Sequence, residues 1–326
     1  MIVTVTTVVV LAIGMLSLIL ALYGGLMAIQ IIEGLEGQSE EKHHSEQKYY
    51  LLGMIGIIVL TARLLNSPIF FWMMQSLVPY CPGAMCSYGV INVGSPYSSI
   101  AIVLKVLLPF AYGGWLFVEL SNRREPTIPF IRTLAKSFLF VLLPLLLVDS
   151  AVDILFVAMI RPLYAPCCSS VYDIDPPFSP SAFLGPQIGL AILALTILAS
   201  FILISIQWIE KDSRSRRVSS LGIACVAAIL YLIALHDTYA PLVLGLSSHH
   251  CPYCLFQEFP DTAFFSAMFW VGVSSVGWRF IVQESWSRRG LQSGSIDTIV
   301  DLLRKVSTLA LLFSMVSMLS HLSLVL

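Results

Sequence analysis

The sequence predicts an all-α integral membrane protein, a polytopic bundle of about eight transmembrane helices in one membrane domain, 1–326. Composition is the first reason: 57% of the residues are hydrophobic and 11% charged, with a mean hydropathy of +0.87. A soluble domain carries about 25% charged residues, so the solvent of this chain is lipid. The second reason is a succession of apolar runs, each long enough to cross the hydrocarbon, which takes about 20 helical residues. The third is that Lys and Arg gather in alternate breaks between the runs. The net charge of −1 says nothing about nucleic acid, but no basic block or aromatic-basic interleave suggests it, and no nucleic-acid partner is expected.

The runs cover 3–32, 50–75, 98–120, 134–160, 183–209, 219–241, 262–282 and 296–324. The first has no Lys or Arg ahead of it and no small-residue cleavage site. It is also long for a signal-peptide core, so it reads as a retained span. The second run continues into the aromatic segment 68–80, which suits either the end of a span with its aromatic belt or a stretch lying in the interface. The third carries Lys105 in its outer half, and the fourth carries Asp149 and Asp153, spaced i, i+4 and so on one helix face. Ionised groups within a span are functional candidates by default, and Lys105 is placed to pair with either acid. They serve a proton path or simply fix helix packing. The sixth run holds Cys225, read as a small buried apolar residue, and ends near His236-Asp237. Glu119 and His321 sit near span ends, where snorkelling to water is expected.

Orientation follows from the basic residues. All 18 Lys and Arg except Arg63, Lys105 and Arg161 lie in or beside the breaks after runs one, three, five and seven. By the positive-inside rule those breaks are cytoplasmic, so both termini and the loops 76–97, 161–182 and 242–261 lie on the outer, non-cytoplasmic side. In a bacterial cytoplasmic membrane that side is the periplasm or exterior.

Each outer loop carries a cysteine pair: Cys81/Cys86, Cys167/Cys168 and Cys251/Cys254. The regularity has no counterpart in a residue-level internal repeat. Three readings stay open. Outer compartments are oxidising, so the pairs suit disulfides that tie down loops for docking an extracytoplasmic partner. Yet the C-x-x-C of His249-His250-Cys251-Pro-Tyr-Cys254 closes too small a ring for a good staple and suits thiols that cycle, with His249 and His250 as proton or charge support. The same atoms, Cys251, Cys254, His249, His250, Cys167 and Cys168, offer the nitrogen and sulfur that Zn(II) or Cu(I) prefers, as for a soft-metal transporter or chaperone. Met73, Met74 and Met85 can add thioethers, though packing is their commoner role. Adjacent Cys167 and Cys168 close only a strained ring with each other, so they are expected to pair elsewhere or bind metal. The order His-Cys-x-x-Cys reverses the haem-attachment motif, so no covalent haem is expected.

Cys81-Pro-Gly-Ala-Met-Cys86-Ser-Tyr-Gly-Val-Ile-Asn-Val-Gly-Ser-Pro-Tyr, followed by an apolar helix, resembles the first outer loop and second helix of the vitamin K epoxide reductase homologues, disulfide-bond-forming quinone oxidoreductases. Cys251-Pro-Tyr-Cys254 resembles their second signature. The resemblance implies a thiol–disulfide oxidoreductase with a membrane quinone beside the C-x-x-C and a thioredoxin-like outer partner. By position, Cys254 would face the quinone, Cys251 would exchange with Cys86, and Cys81 would meet the partner. Spans two, three, six and seven would form the core, with Cys167/Cys168 as a possible relay. The chain departs from the pattern in having Asn92 where the family has Ser or Thr, with Ser95 out of register. Two further spans separate the motifs, and Glu258 and Pro260 interrupt the helix after the C-x-x-C.

Overall fold

A computed structural model describes residues 2–35, 39–123, 128–165, 168, 179–209, 213–287 and 294–325, with the side chains of 39–44, 46, 128, 129, 294 and 295 not described. It is 88% helical, without strands among the described residues, and eight helices are long and apolar enough to span a membrane. Their limits run a few residues beyond most of the apolar runs, because polar residues continue a helix into the interface.

The chain divides into two compact units, 1–165 and 166–326. In the first, the spans are α1 (Val5–Gly34), α2 (Ser39–Leu77), α4 (Tyr97–Asn122) and the continuous pair α5 (Ile128–Ser137) and α6 (Leu143–Met159), with the short α3 (Ser87–Val93) between α2 and α4. Helix α1 begins in a reciprocal cap: Thr4 Oγ1 accepts from Thr7 N at 3.3 Å and Thr7 Oγ1 from Thr4 N at 2.8 Å. It is apolar all round, so hydropathy cannot choose its buried face. Steric fit does: Thr7, Val10, Gly14, Ser17, Ala21, Gly24, Ala28 and Ile31 are buried while Leu16, Ile19 and Leu26 face outward. Between helices in lipid the gain is close packing, and small residues allow it. A Cβ on Gly24 would lie 2.9 Å from the Phe138 ring, and one on Gly25 2.7 Å from Leu143 Cδ2.

The second unit follows α7 (Pro180–Leu184) with the spans α8 (Pro186–Gln207), α9 (Arg214–Ala234) running on into α10 (Ala240–Leu244), α12 (Pro260–Ser287) and α13 (Gly294–Val325), with the short α11 (Pro252–Glu258) before α12. Helix α8 packs on α9 and α13, and α12 on α9 and α13. Tyr231 stacks on Phe269 at 3.9 Å between centroids and bonds Ser266 at 2.7 Å, fixing α9 to α12. Gly272 lets α13 approach so closely that a Cβ there would lie 2.6 Å from Leu311 Cγ.

The two units share devices that no residue match announces. Each has a short helix between its second and third spans with a cysteine at its N-cap position: Cys86 before α3 and Cys251 before α11. Each also has one π-helical turn, Phe138–Leu142 and Leu235–Tyr239, ending two residues before a proline, Pro144 or Pro241. Proline has no N–H to donate, and a wider turn before it re-satisfies the backbone.

Glu119 does not snorkel. Glu119 is fully buried, Oε1 accepting from Arg123 Nε at 2.8 Å, one helical turn away. His321 Nδ1 meets Tyr239 Oη at 3.1 Å and its Nε2 lies 2.6 Å from Asp261 Oδ2. For Glu119 a partner within reach replaces water, whereas His321 stays partly exposed beside an exposed Asp261. Cys225 is exposed on α9 rather than buried, since the small residues Ala224 and Ala227 take the packed face.

Candidate functional site

The C-x-x-C owes its position to two helix ends. Helix α10 stops at Gly245, whose φ of +66° is the left-handed cap that glycine adopts freely. The chain then turns through His249, whose N–H donates to Leu246 O, and Cys251 caps α11 with Pro252 in its first turn. Phe259 breaks the helix before Pro260 opens α12, so the motif lies on its own short helix, the turn that Glu258 and Pro260 forecast.

A residue distant in sequence joins it. Cys168 Sγ lies 3.4 Å from Cys254 Sγ, and the sulfurs of Cys168, Cys251 and Cys254 all lie within 4.8 Å of one another. Cys251 and Cys168 are buried; Cys254 is partly exposed. None of the six described cysteines is disulfide-bonded. Cys167 lies outside the described residues. The histidines do not add ligand atoms to this cluster. Of the wider metal set expected from the sequence, only the thiols converge.

His250 is turned instead toward a buried polar chain. Its Nδ1 lies 3.0 Å from the carbonyl of His236 and 3.2 Å from Ser179 Oγ. A carbonyl only accepts, so Nδ1 carries a hydrogen and donates it. Ser179 Oγ donates to Asp237 Oδ1 at 2.7 Å, and Ser181 donates to the same oxygen through Oγ at 2.6 Å and N–H at 3.1 Å. Thr238 Oγ1 donates to Asp237 Oδ2 at 3.2 Å. Asp237 is thus buried with both oxygens accepting hydrogen bonds, three at Oδ1 and one at Oδ2. His236 Nδ1 is bonded to Leu232 O at 2.8 Å. Sequence reasoning named His236, Asp237 and His250 but missed Ser179 and Ser181, two serines that no pattern distinguishes from others in the chain.

In the first unit Cys81 and Cys86 are both buried in the loop after α2. Gly83 between them has a φ of +84°, and a Cβ there would lie 2.6 Å from Ala165 O; the chain beside it is pinned by Ala165 N donating to Pro82 O at 2.8 Å. Burial pushes the Cys81 thiol above its ordinary value. Met73 and Met74 are core residues and Met85 is exposed. Lys105 pairs with both Asp149 and Asp153, at 2.7 Å each. It shares them with Arg63, a charge inside the second apolar run that the sequence displays but does not pair.

The two motifs of the vitamin K epoxide reductase resemblance fall in different units, Cys81/Cys86 in the first and Cys251/Cys254 in the second. No family model, curated protein or solved structure matches the chain.

Proposed function

We propose that the chain is a membrane thiol–disulfide oxidoreductase whose reactive centre is Cys168, Cys251 and Cys254. The observation that supports it is the 3.4 Å contact of Cys168 Sγ with Cys254 Sγ, Cys251 being in reach of both. Exchange needs an attacking, a central and a leaving sulfur, and a C-x-x-C alone supplies two. With Cys251–Cys254 oxidised, the Cys168 thiolate attacks Cys254 Sγ; a Cys168–Cys254 bond forms and Cys251 leaves as thiolate. A membrane quinone, the acceptor that the family resemblance implies, would supply two-electron oxidation. The basic residues favour an orientation with both termini and all three cysteine loops outside, so that a periplasmic or exterior thioredoxin-like protein is the exchange partner.

The same geometry favours a second reading. Three sulfurs within 4.8 Å of one another can surround one soft ion at about 2.3 Å each, a Zn(II) or Cu(I) thiolate site. The two readings separate in differential thiol labelling of the intact protein in mild detergent, mapped by mass spectrometry. Exchange predicts that Cys168, Cys251 and Cys254 change state on adding quinol or a thioredoxin-like reductant. Protection only by Cu(I) or Zn(II) would support the metal reading. If all three thiols ignore every reagent, neither stands.

A further inference from the structure

At one end of the second unit, three helices pass from uncharged to charged residues at a common level. No charged residue occurs from Pro186 to Ile209 along α8, from Val218 to Leu235 in α9, or from Val306 to Ser320 in α13. Side-chain bonds align the three borders. Gln207 Nε2 donates to Ser307 Oγ at 3.1 Å, Trp208 Nε1 to Thr308 Oγ1 at 2.9 Å, and Arg216 Nη1 to the Ile209 carbonyl at 3.4 Å. In a bilayer the uncharged stretches belong to the hydrocarbon and the charges beside them to the headgroups.

The cations at this border are held in place. The Arg304 guanidinium lies over the Trp208 ring, 4.2 Å from its centroid, and pairs with Asp301 one turn back. Lys305 Nζ lies 2.7 Å from the other Asp301 oxygen, so one carboxylate answers two cations. Arg214 meets Glu284 at 3.3 Å, whereas the bond from Arg216 goes to a neutral carbonyl. Arg214, Arg216, Arg217, Arg304 and Lys305 outnumber Glu284, Asp297 and Asp301 among the described side chains there. Orientation by the positive-inside rule needs only that Lys and Arg be present. It does not need a guanidinium stacked on tryptophan or two cations sharing an acid.

The surroundings say what kind of anion fits. Trp208 and Ile209 are exposed at the border, and Leu309, Phe313 and Val316 are exposed along α13 on the hydrocarbon side of Lys305. Their spacing puts them on the same helix stripe as Lys305. A soluble anion offers nothing to those apolar side chains. A phospholipid offers a phosphate to the cations and acyl chains to the stripe beneath them, and an anionic headgroup answers the surplus positive charge.

We propose that Trp208, Arg216, Arg304 and Lys305 form a site for the headgroup of an anionic phospholipid. This does not rest on the thiol reading. The test is native mass spectrometry of the full chain released from micelles holding equal amounts of phosphatidylglycerol and phosphatidylcholine. The wild type is expected to retain the anionic lipid in preference. A basic residue near an anionic lipid surface is worth about fivefold in binding, so Arg304→Gln with Lys305→Gln should lower the preference by at least about fivefold. Arg304→Lys keeps the charge without the planar stack and should lose part of it. Asp301→Asn releases both cations and should raise it, a gain that a purely structural role for these ion pairs would not give. Excess glycerol phosphate should leave the bound lipid in place. The proposal is overturned by a wild type without preference, a double variant that keeps it, or a fall in Asp301→Asn with the melting temperature unchanged. Displacement of the lipid by glycerol phosphate overturns it too, in favour of a soluble-anion site.

Discussion

Consider removing one side of the buried ion pair, Lys105→Met. Asp153 then loses the ammonium that touches both its oxygens and keeps only Arg63 at 3.8 Å, an arm already committed to Asp149 at 2.6 Å. Breaking a buried pair in this way costs about 3–5 kcal/mol, because the orphaned charge cannot reach water. Asp153→Leu alone should cost a similar amount, for it leaves two buried cations, Lys105 and Arg63, with the single carboxylate of Asp149. The double variant Lys105→Met with Asp153→Leu removes one charge of each sign and leaves the Arg63–Asp149 pair whole, so it should lie within about 2 kcal/mol of the wild type, with a coupling of several kcal/mol. Reversible unfolding in lipid nanodiscs, read for all four corners of the cycle, measures it. If Lys105→Met costs under about 1 kcal/mol, or the two single effects simply add, the centre is solvated and the reasoning from burial fails.

Other expectations are simpler. Gly272→Leu should destabilise the second unit by about 1–3 kcal/mol, since even a Cβ lies 2.6 Å from Leu311 Cγ; an unchanged melting temperature would contradict the close α12–α13 contact. Ser179→Ala should cost about 1–3 kcal/mol by taking a donor from buried Asp237, and Ser179→Thr, which keeps the hydroxyl, should restore part of it in the same unfolding assay. The Cys81 thiol is held above its ordinary value by burial, so the folded chain holds that proton more tightly than the unfolded one. Its alkylation should be slow at neutral pH and rise only above the range of a free thiol; its contribution to stability should be full below the ordinary thiol value and lost as pH climbs from there through the raised folded value. Labelling of Cys81 at neutral pH as fast as a free cysteine would contradict this. Cys225→Ser, on an exposed position of α9, should change stability by no more than about 0.5 kcal/mol and leave exchange intact.

The eight spans were legible because lipid imposes length and apolarity on every crossing segment, and those properties are additive along a chain. The pairing of Lys105 with Asp149 and Asp153 was legible too: i, i+4 spacing puts the acids on one face, and charges inside hydrocarbon must find partners. The turn beneath Cys251 and Cys254 could be read from Glu258 and Pro260. Tertiary structure alone decided the rest. It chose Cys168 as the sulfur beside Cys254, since a disulfide or metal partner depends on where loops fold back and not on spacing. It turned His250 from the thiols to Ser179 and the His236 carbonyl, because a buried ring needs a bond for its N–H and the nearest acceptors lay there. It set Arg63 against Asp149 and buried Glu119 with Arg123. And it divided eight similar spans into two units of four, a choice hydropathy cannot make: in lipid every apolar face is equally at ease, and only close fit at residues such as Gly24 and Gly272 tells one neighbour from another.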